Sequence, residues 1–412
     1  MDTQNTIDHR QAPQTDRSRN LRLGFEAALI ALCGYLIGVA GLPPLFDAPG
    51  GPRAEQTVTS SSVDSADDGQ SVAAPSTDSS ANPTPGAGVS VNVGRANWST
   101  GYFQAALFKS LLAELGYTVS DPGANELPPT EAYAAMAEGS MDFWTNSWLP
   151  NHQVYVDEER DDGTVVGDQL TSIGDLLPAA GLEGIVVTKS VAEEFSITSL
   201  DQINSDPALV ELFDANGNGQ ADVYGCPDDW GCYKILNELI EFNGWANIEQ
   251  ITDDYDAMVD QSVGQVDGGT AVLQYTWSPS GYLTRLRPGD NVVWLSIGGQ
   301  DKMLDGSITP EYDFNDGEPP ALGPACTGDP CWLGWPAADI KVMARNDFLE
   351  ANPSARALFE QVQLKVLDVA LANVKYDTGE QAPEDLERHA QDWITDNRPK
   401  VDEWLAQARA AG

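Results

Sequence analysis

The sequence predicts an α/β protein built as two lobes with a ligand cleft between them. Short β-type runs alternate with helical ones along residues 89–412, a pattern that belongs to α/β layers. The stretch of roughly 320 residues is large for one hydrophobic core, and no internal repeat divides it.

The elements follow in chain order. VSVNV, from Val89, is expected to be a strand. FQAALFKSLLAELGY is expected to be a helix with Phe103, Leu107, Leu111 and Leu115 on one face and Gly116 as its C-cap. YTVSD reads as a strand and TEAYAAMAEG as a helix. GIVVTK, TAVLQYTW, NVVWLSI and DIKVMAR are β-type runs, and a helix is expected around Tyr233–Phe242. Helices fill the end, from about Ser354 to Ala410. The lobes are expected to comprise 89–180 with 301–412, and 181–300.

What precedes the folded part has a different character. Residues 1–22 are polar and carry Arg10, Arg17, Arg19 and Arg22. An apolar run from Ala27 to Gly41 lies within a membrane segment expected over 23–45, with the N-terminus inside and the rest exported. An uncleaved anchor is favoured over a cleaved signal peptide or a lipid-bearing Cys33, because Leu32 is bulky for a lipidation site. Residues 46–88 are Ser, Asp, Ala, Pro, Gly and Thr with hardly an aliphatic anchor, and read as a flexible tether.

Charge narrows the function. With 22 Lys and Arg against 63 Asp and Glu, the formal net charge is −41. Nucleic acid is excluded as a partner, since its phosphates need cations that this surface lacks. A chain with 42% hydrophobic residues and 11 Trp is nonetheless a folded one. A carboxylate-covered surface of this kind suits high external salt, which screens its self-repulsion. Phosphate-loop, zinc-protease, nucleophile-elbow and dinucleotide motifs are all missing. Only His9, His152 and His389 are available for general-base work, and the expectation is a protein that is not an enzyme and needs no cofactor.

The cysteines form two close pairs, Cys226 with Cys232 and Cys326 with Cys331. Neither has zinc-knuckle spacing. Two short-loop disulfides fit an exported domain better than two pairs of buried thiols.

Three motifs set a Trp beside turn formers: SWLPNH at 147–152, GCPDDWGC at 225–232 and YTWSP at 275–279. Each Trp taken singly is better explained by an ordinary core role. Together they suit a trimethylammonium group, which carries charge but no N–H. Indole faces hold such a cation at about 2 kcal/mol or more per desolvated contact. A zwitterion's carboxylate would need donors, which the backbone N–H groups of Gly231 and Cys232 and the side chain of His152 can provide.

With DANGNGQADVYGCPDDWGCYKILN, LFDANG and LRPGDNVVWL added to those motifs, the chain resembles the glycine betaine/proline betaine-binding proteins of ABC importers over nearly all of 89–412. The resemblance implies a periplasmic-binding-protein fold of the second type and a box of tryptophans, matched by Trp148, Trp230 and Trp277. It implies carboxylate contacts at Gly231, Cys232 and His152, and a loop disulfide matched by Cys226–Cys232. The implied partners are a betaine, an ABC permease and its ATPase; the membrane segment and long tether are this chain's own addition to the family pattern. Trp98, Arg95 and the Cys326–Cys331 pair with Trp332 and Trp335 are departures from the family pattern. The nearest alternatives are choline, carnitine or ectoine in the same fold, or a ligand-sensing domain of a signalling system.

Asp214, Asn216, Asn218 and Asp222 occupy positions 1, 3, 5 and 9 of a calcium-type loop, with Gly219 at the sharp turn. The twelfth position is Gly225, so the usual bidentate Glu is missing. A structural calcium and a metal-free Asx turn are both open readings.

Overall fold

The computed structural model describes residues 82–315 and 317–412; the expected membrane segment, its N-terminal flank and most of the tether lie outside the described residues. Among the described residues no helix is long and apolar enough to cross a membrane. The last residues assigned to the tether pack on the fold. Gly86 N–H donates to Leu115 O at 2.9 Å, and the Arg409 guanidinium donates to Pro83 O at 2.9 Å.

The sheet runs in the order Glu126–Leu127, Val93–Ala96, Phe143–Leu149, Ala338–Arg345, Leu170–Thr188, Leu273–Ser278, Ala221–Tyr224 and Ile248–Ile251. Val292–Trp294 also pairs with Leu170–Thr188. That 19-residue strand joins the two halves. Up to Gly181 it pairs antiparallel with Ala338–Arg345; from Leu182 it pairs with Leu273–Ser278. Its last eight residues, Gly181 to Thr188, are all buried, as expected of a strand covered on both faces.

The first helix spans Thr100–Glu114, and Gly116 follows in the left-handed region at φ +92. Phe103, Leu107, Leu111 and Leu115 are buried, but so are Ala105, Ala106, Phe108 and Leu112. The one-faced amphipathic helix expected from the sequence is buried on several sides, because it lies between the sheet and the helix Pro383–Asp396. The C-terminal run divides into Pro353–Gln361, Val366–Asp377, Pro383–Asp396 and Arg398–Ala411. Pro353 and Pro383 each take the first helical position, where the missing N–H costs nothing.

Phe143 begins the strand that leads to the cavity described below. Its ring lies 4.8 Å from that of Phe359, 6.2 Å from Phe108 and 6.3 Å from Phe348. The side chain is fully buried. Phe143→Ala is therefore expected to lower unfolding stability by about 3–5 kcal/mol, measured as a fall in the urea midpoint with the slope unchanged.

Candidate functional site

Two of the three motif tryptophans lie at the ends of strands rather than in loops. Trp148 belongs to Phe143–Leu149 and Trp277 to Leu273–Ser278, while Trp230 is the N-cap of the helix Gly231–Phe242. The neighbouring Pro150 and Pro279 mark where each strand stops. The three meet at one cavity with about 350 Å³ of empty space, lined also by His152, Gly231 and Cys232. Trp98, Pro129, Glu183 and Tyr275 complete its wall.

The indole N–H groups determine what the wall offers. Asn146 Oδ1 accepts from both Trp98 Nε1 at 2.8 Å and Trp148 Nε1 at 2.9 Å. The Asn146 amide in turn donates to the buried Gln104. Trp277 Nε1 donates to Thr100 Oγ1 at 2.9 Å, and that hydroxyl donates to Pro279 O. With these N–H groups held by protein acceptors, the indoles leave carbon surface for a ligand. Trp230 bridges the set, its ring 5.5 Å from Trp98 and 5.6 Å from Trp277. Gly181 makes room for Trp148, since a Cβ there would stand 2.7 Å from its ring.

The polar side of the cavity is a helix start. The sequence placed Gly231 and Cys232 ahead of their helix; they form its first turn. Their N–H groups take no acceptor among the described residues, and the positive end of the helix dipole lies there. Cys226 and Cys232 are joined in a disulfide, which ties this first turn to the strand end at Tyr224. His152 is buried and borders Gly231. Burial lowers its pKa to about 3, so the ring is neutral. Trp148 N–H donates to Nδ1 at 3.2 Å, which leaves the proton on Nε2 as a donor.

Glu183 is the one acid in the wall of this cavity, only 6% exposed. Tyr275 OH donates to one of its oxygens at 2.6 Å and Asn151 Nδ2 to the other. Burial pushes its pKa up to about 7. Outside the cavity the cleft widens into about 1000 Å³ of space open to solvent, sharing Trp98 and Trp230. Asp228, Asp229, Asp253, Asp254 and Asp256 line it, a negative field that favours the approach of cations.

The 214–222 loop lies apart from these cavity residues and is held by its own hydrogen bonds. Asp214 accepts from the N–H groups of Gly217, Asn218 and Gly219, and Asp222 from those of Ala215 and Asn216. Asn216 and Asn218 donate to Glu249. Burial, with the Glu249 carboxylate next to it, raises the pKa of Asp222. Among the described residues no group of three or more His, Cys, Asp and Glu is arranged to hold a metal ion. The second disulfide, Cys326–Cys331, closes a loop whose Thr327 N–H donates to Trp294 O. The same segment carries Trp335, whose ring packs 5.4 Å from Tyr275.

Sequence reasoning did not single out Glu183, Tyr275 or Pro129, and it left Trp98 open between a place in the site and a cap on the core; the structure puts it in the cavity wall. One signal was available: GLEGIVV sets a single carboxylate inside an apolar β-type run, where an acid needs a partner.

The model for the substrate binding domain of ABC-type glycine betaine transport systems matches residues 89–396. The glycine betaine-binding periplasmic protein OusX of Dickeya dadantii (strain 3937) is 30% identical over 337 residues, which are 80% of this chain and 93% of that protein. The glycine betaine/proline betaine-binding periplasmic protein of Escherichia coli (strain K12) is 28% identical over 82% of this chain and 95% of its own. Among solved structures, lactococcal OpuAC in its closed form with glycine betaine aligns with a TM-score of 0.52 at 16% identity, covering 77% of this chain and 99% of that one. An ABC-transporter choline binding protein in complex with choline aligns with a TM-score of 0.56 at 16% identity, over 78% and 96%. At such identities the structural likeness establishes the α/β periplasmic-binding-protein fold.

The neutral His152 has a consequence for acid stability. Its folded pKa of about 3 lies below the ordinary value of 6.5. The unfolded chain therefore takes up the proton first. The resulting stability is complete above pH 6.5 and is lost as pH falls toward 3, on the order of 5 kcal/mol in all. His152→Asn is expected to flatten the decline of Tm across this window, whatever its effect at neutral pH.

Proposed function

Because the chain belongs to the family of substrate-binding domains of ABC-type glycine betaine transport systems, we propose that it captures glycine betaine or a related quaternary-ammonium osmolyte outside the cytoplasm and delivers it to an ABC permease driven by an ATPase. The observation that carries the reading is the convergence of Trp98, Trp148, Trp230 and Trp277 beside the free N–H groups of Gly231 and Cys232. The indoles hold the trimethylammonium group through cation–π and dispersion contacts. The helix start and His152 Nε2–H take the carboxylate. No covalent step is assigned to the protein.

In this reading the lobes 89–180 with 301–412 and 181–300 close around the ligand, and the closed form is what the permease recognises. The N-terminal segment acts as a membrane tether that keeps the receptor near its permease at high effective concentration. Calcium enters the proposal only as a structural ion in the 214–222 loop, with Glu249 supplying the carboxylate that the twelfth position lacks.

Two outcomes are expected. Calorimetric titration with glycine betaine at high salt gives saturable binding, and a Trp148→Ala, Trp230→Ala double variant that still folds loses roughly a hundredfold or more in affinity. The absence of heat with the parent protein would end the receptor reading. Adding excess calcium to chelated protein raises Tm, and Glu249→Gln cancels the rise; an unchanged Tm in the parent would leave the loop as an Asx turn.

A further inference from the structure

The cavity carries a charge that a zwitterion with its own carboxylate does not need. We propose that Glu183 is the counter-ion of the quaternary ammonium group and extends the ligands of this site to net cations of the choline type, beside the betaines whose carboxylate the Gly231 and Cys232 N–H groups receive. The inference rests on the reading that the cavity holds a quaternary ammonium at all.

Three observations carry it. First, the position is fixed by the sheet: Glu183 is paired directly across from Trp277 in the antiparallel ladder. Cross-strand partners project to the same face, so the carboxylate stands beside an indole of the box. Second, both oxygens accept, one from Tyr275 OH and the other from Asn151 Nδ2. Two donors suit the ionised form. Third, no Lys or Arg among the described residues forms an ion pair with it, and none contributes to its titration. A buried ionised carboxylate without a cation is costly. A trimethylammonium group between the indoles supplies the missing charge.

The two ligand types then differ in sign. Choline gains the full attraction of Glu183 while leaving the donors at Gly231, Cys232 and His152 to water. Glycine betaine gains the same attraction at its nitrogen and loses part of it at its own carboxylate, which lies in the same small cavity as Glu183. The groups facing Glu183 do not blur the reading. Tyr275, Tyr155 and Tyr312 are raised above the ordinary tyrosine value, chiefly by burial, and stay neutral. His152 is lowered to about 3 by burial and is neutral as well. Among these groups Glu183 alone titrates near neutrality, its pKa pushed up to about 7 by burial.

The test is calorimetric titration of the protein with choline chloride and with glycine betaine, from about pH 5.5 to about pH 8.5, for the parent, Glu183→Gln and Glu183→Asp. The parent's affinity for choline is expected to rise about tenfold across that range, and Glu183→Gln to weaken choline about tenfold at the alkaline end while flattening the profile. Glycine betaine should change less in both comparisons, and Glu183→Asp should retain the pH dependence. If the parent binds betaine but not choline, or if Glu183→Gln leaves the ratio of the two affinities unchanged, the counter-ion role is wrong and the receptor reading survives. If the parent binds neither ligand, the receptor reading falls and takes this one with it.

Discussion

A buried indole N–H left without an acceptor is costly, and much of what surrounds the cavity follows from meeting that demand inside the protein for three of its tryptophans. Asn146 satisfies two indoles with one amide oxygen, and Thr100 satisfies a third. Had those N–H groups pointed into the cavity, they would have attracted acceptors or water. Turned outward, they leave a surface of ring carbon, which suits a cation that can form no hydrogen bond. Thr100 is the more telling partner. It begins a helix in one half of the sheet, yet it holds Trp277 and Pro279 from the other.

The polar end of the site answers the opposite requirement. Backbone N–H groups at a helix start are donors that cannot be titrated or rotated away. The Cys226–Cys232 disulfide places them by joining the first turn to the strand before it. The other disulfide works at one remove: it closes the segment leading to Trp335, whose ring backs Tyr275, which in turn holds Glu183. Both cross-links thus support side chains or N–H groups at the cavity, whereas the phenylalanine cluster around Phe143 rests on burial and ring packing alone.

The sequence carried the local part of this arrangement. Alternating runs gave the α/β class, and the GCPDDWGC, SWLPNH and YTWSP motifs named six residues that line one cavity. The run ending at Gly116 located a helix and its cap. What stayed hidden depends on contacts far apart in the chain. Nothing near Trp98 announces Asn146, 48 positions away. Nothing near Glu183 announces Tyr275, 92 positions away. The β-type run TAVLQYTW already carried Trp277 to its strand end, but the strand character of Trp148 was masked by Pro150, because turn formers dominate a short window even when they stand just past the end of a ladder.

The long strand Leu170–Thr188 bears on how such a molecule can move. Its residues are laddered to Ala338–Arg345 up to Gly181 and to Leu273–Ser278 and Val292–Trp294 beyond it. Sliding by a single residue would turn every side chain over, sending Glu183 out of the cavity and Leu182 or Gly184 into its place. Translation along the strand is therefore forbidden, and only bending and twisting about the Gly181–Leu182 junction remain. The strand thus has the character of a leaf spring clamped at both ends: any bending it undergoes leaves the register, and with it the alignment of each half of the site, intact.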